Sequence, residues 1–157
     1  MTLTFAEMIE HFAEKLHALA PKDDVARGVV ELYMNDVPVT IRALPEIQGM
    51  MYEAEMGFFM RRIPKEKLRI LATQNFLGLQ TDGNALCLEE NGITLKLTRT
   101  LSSGASKAEY WDRLLHFLDA YVHLLKEYKR WPEFTPILNT GEDDQTGSIP
   151  NYHHIQG

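Results

Sequence analysis

Apolar residues in the first twenty positions recur with helical spacing. Phe5, Met8, Ile9, Phe12, Leu16 and Leu19 fall on one stripe, and Glu7, Glu10, Glu14 and Lys15 lie away from its centre. Thr4 followed three residues later by Glu7 has the form of a capping box, so a helix is predicted over about Phe5 to Leu19. Pro21 and the polar Lys22-Asp23-Asp24 end it. The period then changes to two. Val30, Leu32 and Met34 alternate with Glu31 and Tyr33, and Val37, Val39, Ile41 and Ala43 alternate with Thr40 and Arg42. Asn35-Asp36 between these runs predicts a tight turn. Pro38 cannot donate to a ladder, so the second strand is expected to start late or lie at an edge. A third strand is expected within Ile47 to Phe59, with Gly57 as a bulge or bend.

Helical spacing returns at Pro64, a residue suited to the first helical position, and stops at Gly78, a C-terminal cap. Leu68, Leu71, Ala72 and Phe76 form one face of this helix, whereas Ile70 and Leu77 point to the other. A short helix that is apolar on both sides is buried on both sides. One side packs on its own sheet, and a second copy of the chain is the simplest cover for the other. Thr81-Asp82-Gly83-Asn84 turns into a hairpin of Ala85 to Glu89 and Ile93 to Leu101 around Asn91-Gly92, two residues that tolerate positive φ. The last helix is predicted over Lys107 to Lys129, opened by a second capping box, Ser106 and Glu109. Trp111, Leu114, Leu115, Leu118, Val122 and Leu125 form its stripe, widened by Tyr110, Phe117, Tyr121, Leu124 and Tyr128.

The order α-β-β-β-α-β-β-α predicts an α+β sandwich with helices on a mostly antiparallel, twisted sheet. Residues 1–131 read as one domain. After Trp131 the prolines, glycines and the run Glu142-Asp143-Asp144 read as a loosely packed or disordered tail, 132–157.

Composition narrows the function classes. The 157 residues are 45% hydrophobic, enough for a core, and carry a net charge of −6, which argues against nucleic acid. A single cysteine excludes an internal disulfide framework and fits a reducing cytoplasm. No apolar run reaches spanning length and no secretory signal is visible, so a cytoplasmic, membrane-free protein is expected. Asp112, His116, Asp119 and His123 share one side of the last helix. They read as a solvated polar face, with a small metal-dependent enzyme using His116 and Asp119 as a rival. His153-His154, His11 and His17 carry no ligand spacing, and Cys87 reads as a small half-buried thiol. No phosphate-cradling loop or nucleophile elbow is present, so no catalytic residues and no cofactor are expected.

The stretch Leu71 to Leu101 has a specific pattern. An apolar helix carries Asn75-Phe76, then come Thr81-Asp82-Gly83-Asn84-Ala85-Leu86 and Glu90-Asn91-Gly92-Ile93-Thr94-Leu95, and then a helix with Glu109-Tyr110-Trp111. With the element order, this resembles the type III secretion chaperones of the Tir-chaperone (CesT-like) family, over nearly all of Phe5 to Trp131. The resemblance implies a small acidic chaperone in a bacterial cytoplasm, without catalysis. It implies a homodimer with Leu68, Ile70, Leu77, Leu86, Leu88 and Leu95 at its interface. It also implies a partner, the N-terminal segment of a secreted effector held extended and kept competent for secretion, and leaves the secretion ATPase as a further candidate partner. The candidate effector groove lies between the first helix and the first three strands, with Met8, Phe12, Leu16, Leu32, Met34, Val39, Met50, Tyr52 and Met56. An extended peptide joins a sheet edge by backbone hydrogen bonds, and adaptable methionines suit varied partners. The alternative is a non-catalytic adaptor or regulator of the same fold that serves no secretion system.

Overall fold

The computed structural model describes residues 3–78, 80–81, 83–137 and the main chain of 152–156. The elements are α1 (Phe5–Lys15), α2 (Lys22–Arg27), β1 (Val29–Met34), β2 (Val37–Leu44), β3 (Gly49–Phe59), α3 (Lys65–Asn75), β4 (Ala85–Leu88), β5 (Thr94–Leu101), α4 (Lys107–Tyr128), β6 (Phe134–Pro136) and β7 (Tyr152–Gln156). The sheet order is β4-β5-β3-β2-β1-β7, with β6 beside β3. The pairings of β1 with β2, β2 with β3, β4 with β5, β3 with β6 and β1 with β7 are all antiparallel. The α+β architecture read from the sequence is therefore the observed one.

The chain divides into two compact units, and β3, β5 and α4 each pass from one into the other. The first unit holds Met1–Glu53, Thr100–Leu115 and Ser148–Gly157. Its α1 is opened by the Thr4 capping box. The Thr4 N–H donates to Glu7 Oε2 at 2.7 Å, and the Glu7 N–H donates to Thr4 Oγ1 at 3.2 Å. The helix stops at Lys15, short of the predicted Leu19, because His17 takes a positive φ of 54° and the Ala18 N–H reaches back to the Ala13 carbonyl at 2.9 Å. Leu19 is consequently exposed. The run Lys22-Asp23-Asp24, expected only to end the first helix, opens the short α2. Its stop is Gly28, left-handed at φ 77°, and Asp24 pairs with Arg27 across one turn. The β1–β2 hairpin closes on Asn35 and Asp36, both at positive φ (51° and 66°), with Met34 opposite Val37. Pro38 therefore sits opposite Tyr33 in an interior strand, against the expectation of an edge. Pairing of β2 with β3 spans only Thr40 to Leu44, so the ladder does not call on the missing Pro38 N–H.

The second unit holds Ala54–Arg99 and His116–Gly147. Here β3 pairs with β6 at Gly57, where a Cβ would lie 2.2 Å from the Thr135 carbonyl oxygen. The suspected bulge is thus a close approach of two backbones. Asn91 does not take positive φ. Its Oδ1 accepts from the N–H groups of Ile93 and Thr94, both at 3.0 Å, and the Glu89 N–H bonds the Thr94 carbonyl at 2.9 Å. The β4–β5 loop is thus longer than the two-residue turn that Asn-Gly suggests, and only Gly92 is left-handed. The expected loose tail begins with described structure: Phe134 is buried and β6 pairs with β3. Residues 138–151 and 157 of that tail lie outside the described residues.

Candidate functional site

In the first unit Met8, Ile9, Phe12 and Leu16 of α1 are buried with Val30, Leu32 and Met34 of β1, Val37, Val39 and Ile41 of β2, and Met50 and Tyr52 of β3. The Phe12 ring lies 6.3 Å from Tyr52 and 5.6 Å from Trp111, centroid to centroid. Each such side chain contributes roughly 1.5–3 kcal/mol by leaving water. This arrangement corrects the groove read from the sequence. Met8, Phe12, Leu16, Leu32, Met34, Val39, Met50, Tyr52 and Met56 are all buried in the chain itself. An apolar stripe shows which face avoids water but not what covers it. Here the cover for the α1 face is the chain's own sheet.

An open cleft of about 480 Å³ lies in this unit at the N-terminal end of α1. Leu3, Phe5 and Met8 line one side, Leu44, Pro45, Gln48 and Met50 the other, with Tyr110 also in the wall. Local conformation builds it. Gln48 is left-handed at φ 50° after a single 3-10 turn. Gly49 comes so near β5 that a Cβ would stand 2.0 Å from the Leu101 carbonyl oxygen. Tyr110 is fixed by its hydroxyl, which donates to the Ser102 carbonyl at 2.9 Å. Thr4 of the cleft wall bonds Glu7 through its main chain and side chain, which holds the Glu7 carboxyl below its ordinary pKa. Of the nine predicted groove residues, Met8 and Met50 reach this cleft. Phe5, Leu44 and Pro45 were missed, because their surroundings are set by a turn geometry that alternation does not encode.

The second unit exposes apolar surface around α3. Leu68 is 41% exposed, Phe76 64%, Leu77 79% and Leu88 39%, and Ile93 is exposed with them. The helix itself is held from its inner side. Buried Gln74 accepts from the Tyr128 hydroxyl at 2.6 Å and donates to Glu127 at 2.9 Å. Asn75 imitates a strand, accepting the Leu86 N–H at 2.9 Å and donating to the Leu86 carbonyl at 3.3 Å. Leu77 adopts φ 53°, a left-handed conformation that costs a branched side chain about 1–2 kcal/mol. Of the residues predicted for a dimer contact, Leu68, Leu77 and Leu88 are exposed and Ile70 is half-buried. Leu86 and Leu95 are buried, because the alternation of β4 and β5 turns them inward, which corrects their assignment to an open interface.

Asp112, His116, Asp119 and His123 are exposed on α4. Among the described residues no group of three or more His, Cys, Asp or Glu is placed to hold a metal ion. Cys87 is a half-buried free thiol whose sulfur lies 3.7 Å from Thr98 Oγ1. No described helix is long and apolar enough to cross a membrane.

No protein-family model matches the chain, and no curated protein matches it. Among solved structures it is similar to a chain from the crystal structure of the ExsC–ExsE complex, at 18% identity and a TM-score of 0.60, over 83% of this chain and 96% of that one. What the two share is the fold, and the likeness does not single out the CesT subfamily.

Proposed function

We propose that this chain is a type III secretion chaperone: a homodimer of the Tir-chaperone kind in a bacterial cytoplasm. It would bind the N-terminal segment of a secreted effector in extended form and perform no catalysis. The observation that carries this reading is the apolar surface that a secretion-chaperone-like fold leaves open around Leu68, Phe76, Leu77 and Leu88. Exposed large apolar side chains of that kind suit contact with a partner chain rather than catalysis. The dimer is assigned to this α3 face. Apolar side chains of the client are assigned to the cleft of the first unit, where Phe5, Leu44 and Pro45 offer contact, and Glu7, bonded to Thr4 of the cleft wall, adds a negative charge suited to a basic client segment. Because Phe12, Leu16, Leu32, Met34, Val39, Tyr52 and Met56 are core, a client would contact the cleft walls and leave that core intact.

Co-expression with candidate effectors, followed by measurement of the mass of the purified complex, tests the proposal. Two chaperone copies with one effector segment are expected. A chain that stays monomeric at micromolar concentration and captures no effector would overturn it. The second reading, an adaptor whose partner is not secreted, is supported by the neighbouring structure being a complex of two named proteins. A stable partner that is never exported would select it.

A further inference from the structure

Strand β1 has two neighbours: β2 on one side and, on the other, the C-terminal strand β7. The β1–β2 hairpin turns through a two-residue loop with Met34 opposite Val37, so that closing pair exchanges both hydrogen bonds. Counting back by twos, the N–H groups of Met34 and Leu32 face β2, and those of Tyr33 and Glu31 face outward. Val30, Leu32 and Met34 are buried, which locks the strand against slipping and presents the outward groups in a fixed register. Without β7 this would be a bare sheet edge, the kind of template that captures an extended chain.

The register on β7 is Glu31 opposite Gln156, Leu32 opposite Ile155 and Tyr33 opposite His154. It then shifts, so that Met34 lies opposite Tyr152. Three consecutive pairs and an interrupted fourth make a short ladder, which belongs to the easily opened end of a protein's local stabilities. Residues 138–151 join Ile137 to Tyr152. That number of residues reaches at most about 50 Å, so a strand released from β1 stays at an effective concentration of order millimolar at its own sheet edge. A weak strand held at such a concentration hinders weak binders and yields to strong ones.

We propose that the outer edge of β1 is a strand-docking site that β7 occupies in cis, in competition with an extended client segment. The identity of the competitor rests on the chaperone reading above; the cis pairing does not. A client strand would displace β7 and take over the Glu31 and Tyr33 N–H groups, so the tail sets a threshold of affinity for loading.

The test uses the full chain and a labelled peptide of its own residues 148–157. In an antiparallel ladder alternate N–H groups face the partner, so the paired substitution His154→Pro and Ile155→Pro removes the facing donor whichever residue supplies it. The peptide is expected to bind this variant about tenfold more tightly than the parent. Exchange of the Glu31 and Tyr33 amides should accelerate by a similar factor and slow again when peptide is added. A second variant leaves β7 intact and doubles the 138–151 tether with glycine and serine. It should raise peptide affinity about threefold through dilution of the tethered strand alone. Equal peptide affinity and equal amide exchange in all three proteins would overturn the proposal. So would protection of β1 that grows with protein concentration, since that marks β7 exchanged between copies. If a bona fide client binds parent and proline variant alike, the competition fails and the chaperone reading stands. If the peptide discriminates but no client is found, the edge stands and the chaperone reading falls.

Discussion

The Tyr52 hydroxyl donates to the main-chain carbonyl of Tyr110 at 2.8 Å, joining the middle of β3 to the first turn of α4. Both residues are buried, so neither polar atom has water as an alternative partner. Tyr52→Phe keeps the ring contact with Phe12 and removes only the donor, while the Tyr110 carbonyl keeps its place in the hydrogen-bond ladder of α4. The expected loss is about 1–2 kcal/mol, read as a lower urea midpoint with an unchanged slope. A larger loss with a changed slope would mean that Tyr52 positions α4 as well as bonding it.

Asn75 does for β4 what a neighbouring strand would do. Its side-chain amide takes both main-chain groups of Leu86. Asn75→Ala is expected to cost about 2 kcal/mol, since two part-buried hydrogen bonds go at once. Asn75→Asp should cost nearly as much, because a carboxylate still accepts the Leu86 N–H but faces the Leu86 carbonyl without a proton to give. If Asn75→Asp is as stable as the parent, the Leu86 carbonyl has another donor and the strand-mimic role is wrong. Thermal unfolding of the two variants side by side separates these outcomes.

Much of this fold was readable because its signals are local. The boxes Thr4–Glu7 and Ser106–Glu109 both close as their spacing requires. The alternation of β1 and β2 and the stripe of α4 gave elements within a residue or two of those observed. The readings that failed depended on what lies across space. Asn91-Gly92 carries the stronger turn signal, yet the two-residue turn is at Asn35-Asp36; Asn91 instead uses its side chain to bind Ile93 and Thr94. Met8 and Phe12 show an apolar face whether an effector or a sheet covers it, so sequence alone could not tell groove from core. The cleft depends on Gly49 passing under the Leu101 carbonyl, a contact between residues more than fifty positions apart.

His11 supplies a pH dependence. Burial, the largest cause, pushes its pKa below the ordinary 6.5; Lys15 and Lys107 add to the effect and Glu14 opposes it. Its Nε2 is buried with no hydrogen-bond partner. The folded chain therefore takes up this proton less readily than the unfolded one. Stability from this site is complete above pH 6.5 and declines as pH falls from there toward the depressed folded value. Glu7 and Glu109, both held low by their caps, act in a separate window, losing their contribution as pH falls below their ordinary 4.5. His11→Gln is expected to flatten the slope of stability below pH 6.5 and leave the acid limb in place. An unchanged slope in denaturant titrations at stepped pH would assign the dependence to another group.

Leu77 is the position where stability and association should part. It is 79% exposed and left-handed at φ 53°, so its side chain gains little within its own chain while its backbone is strained. Leu77→Gly relieves about 1–2 kcal/mol of strain and costs about 1 kcal/mol through the freer unfolded chain, so the fold should stay within about 1 kcal/mol of the parent. The same change removes a leucine from the proposed dimer face, and burial of such a side chain is worth roughly 1.5–3 kcal/mol. The dimer dissociation constant should therefore rise by about tenfold or more. Leu77→Asp should weaken the dimer further, because pairing two copies would also bury a charge. Sedimentation velocity over a concentration series, with unfolding measured on the same samples, reads both quantities. Dissociation unchanged in both variants would move the dimer contact away from the end of α3, even if the chain still proves dimeric.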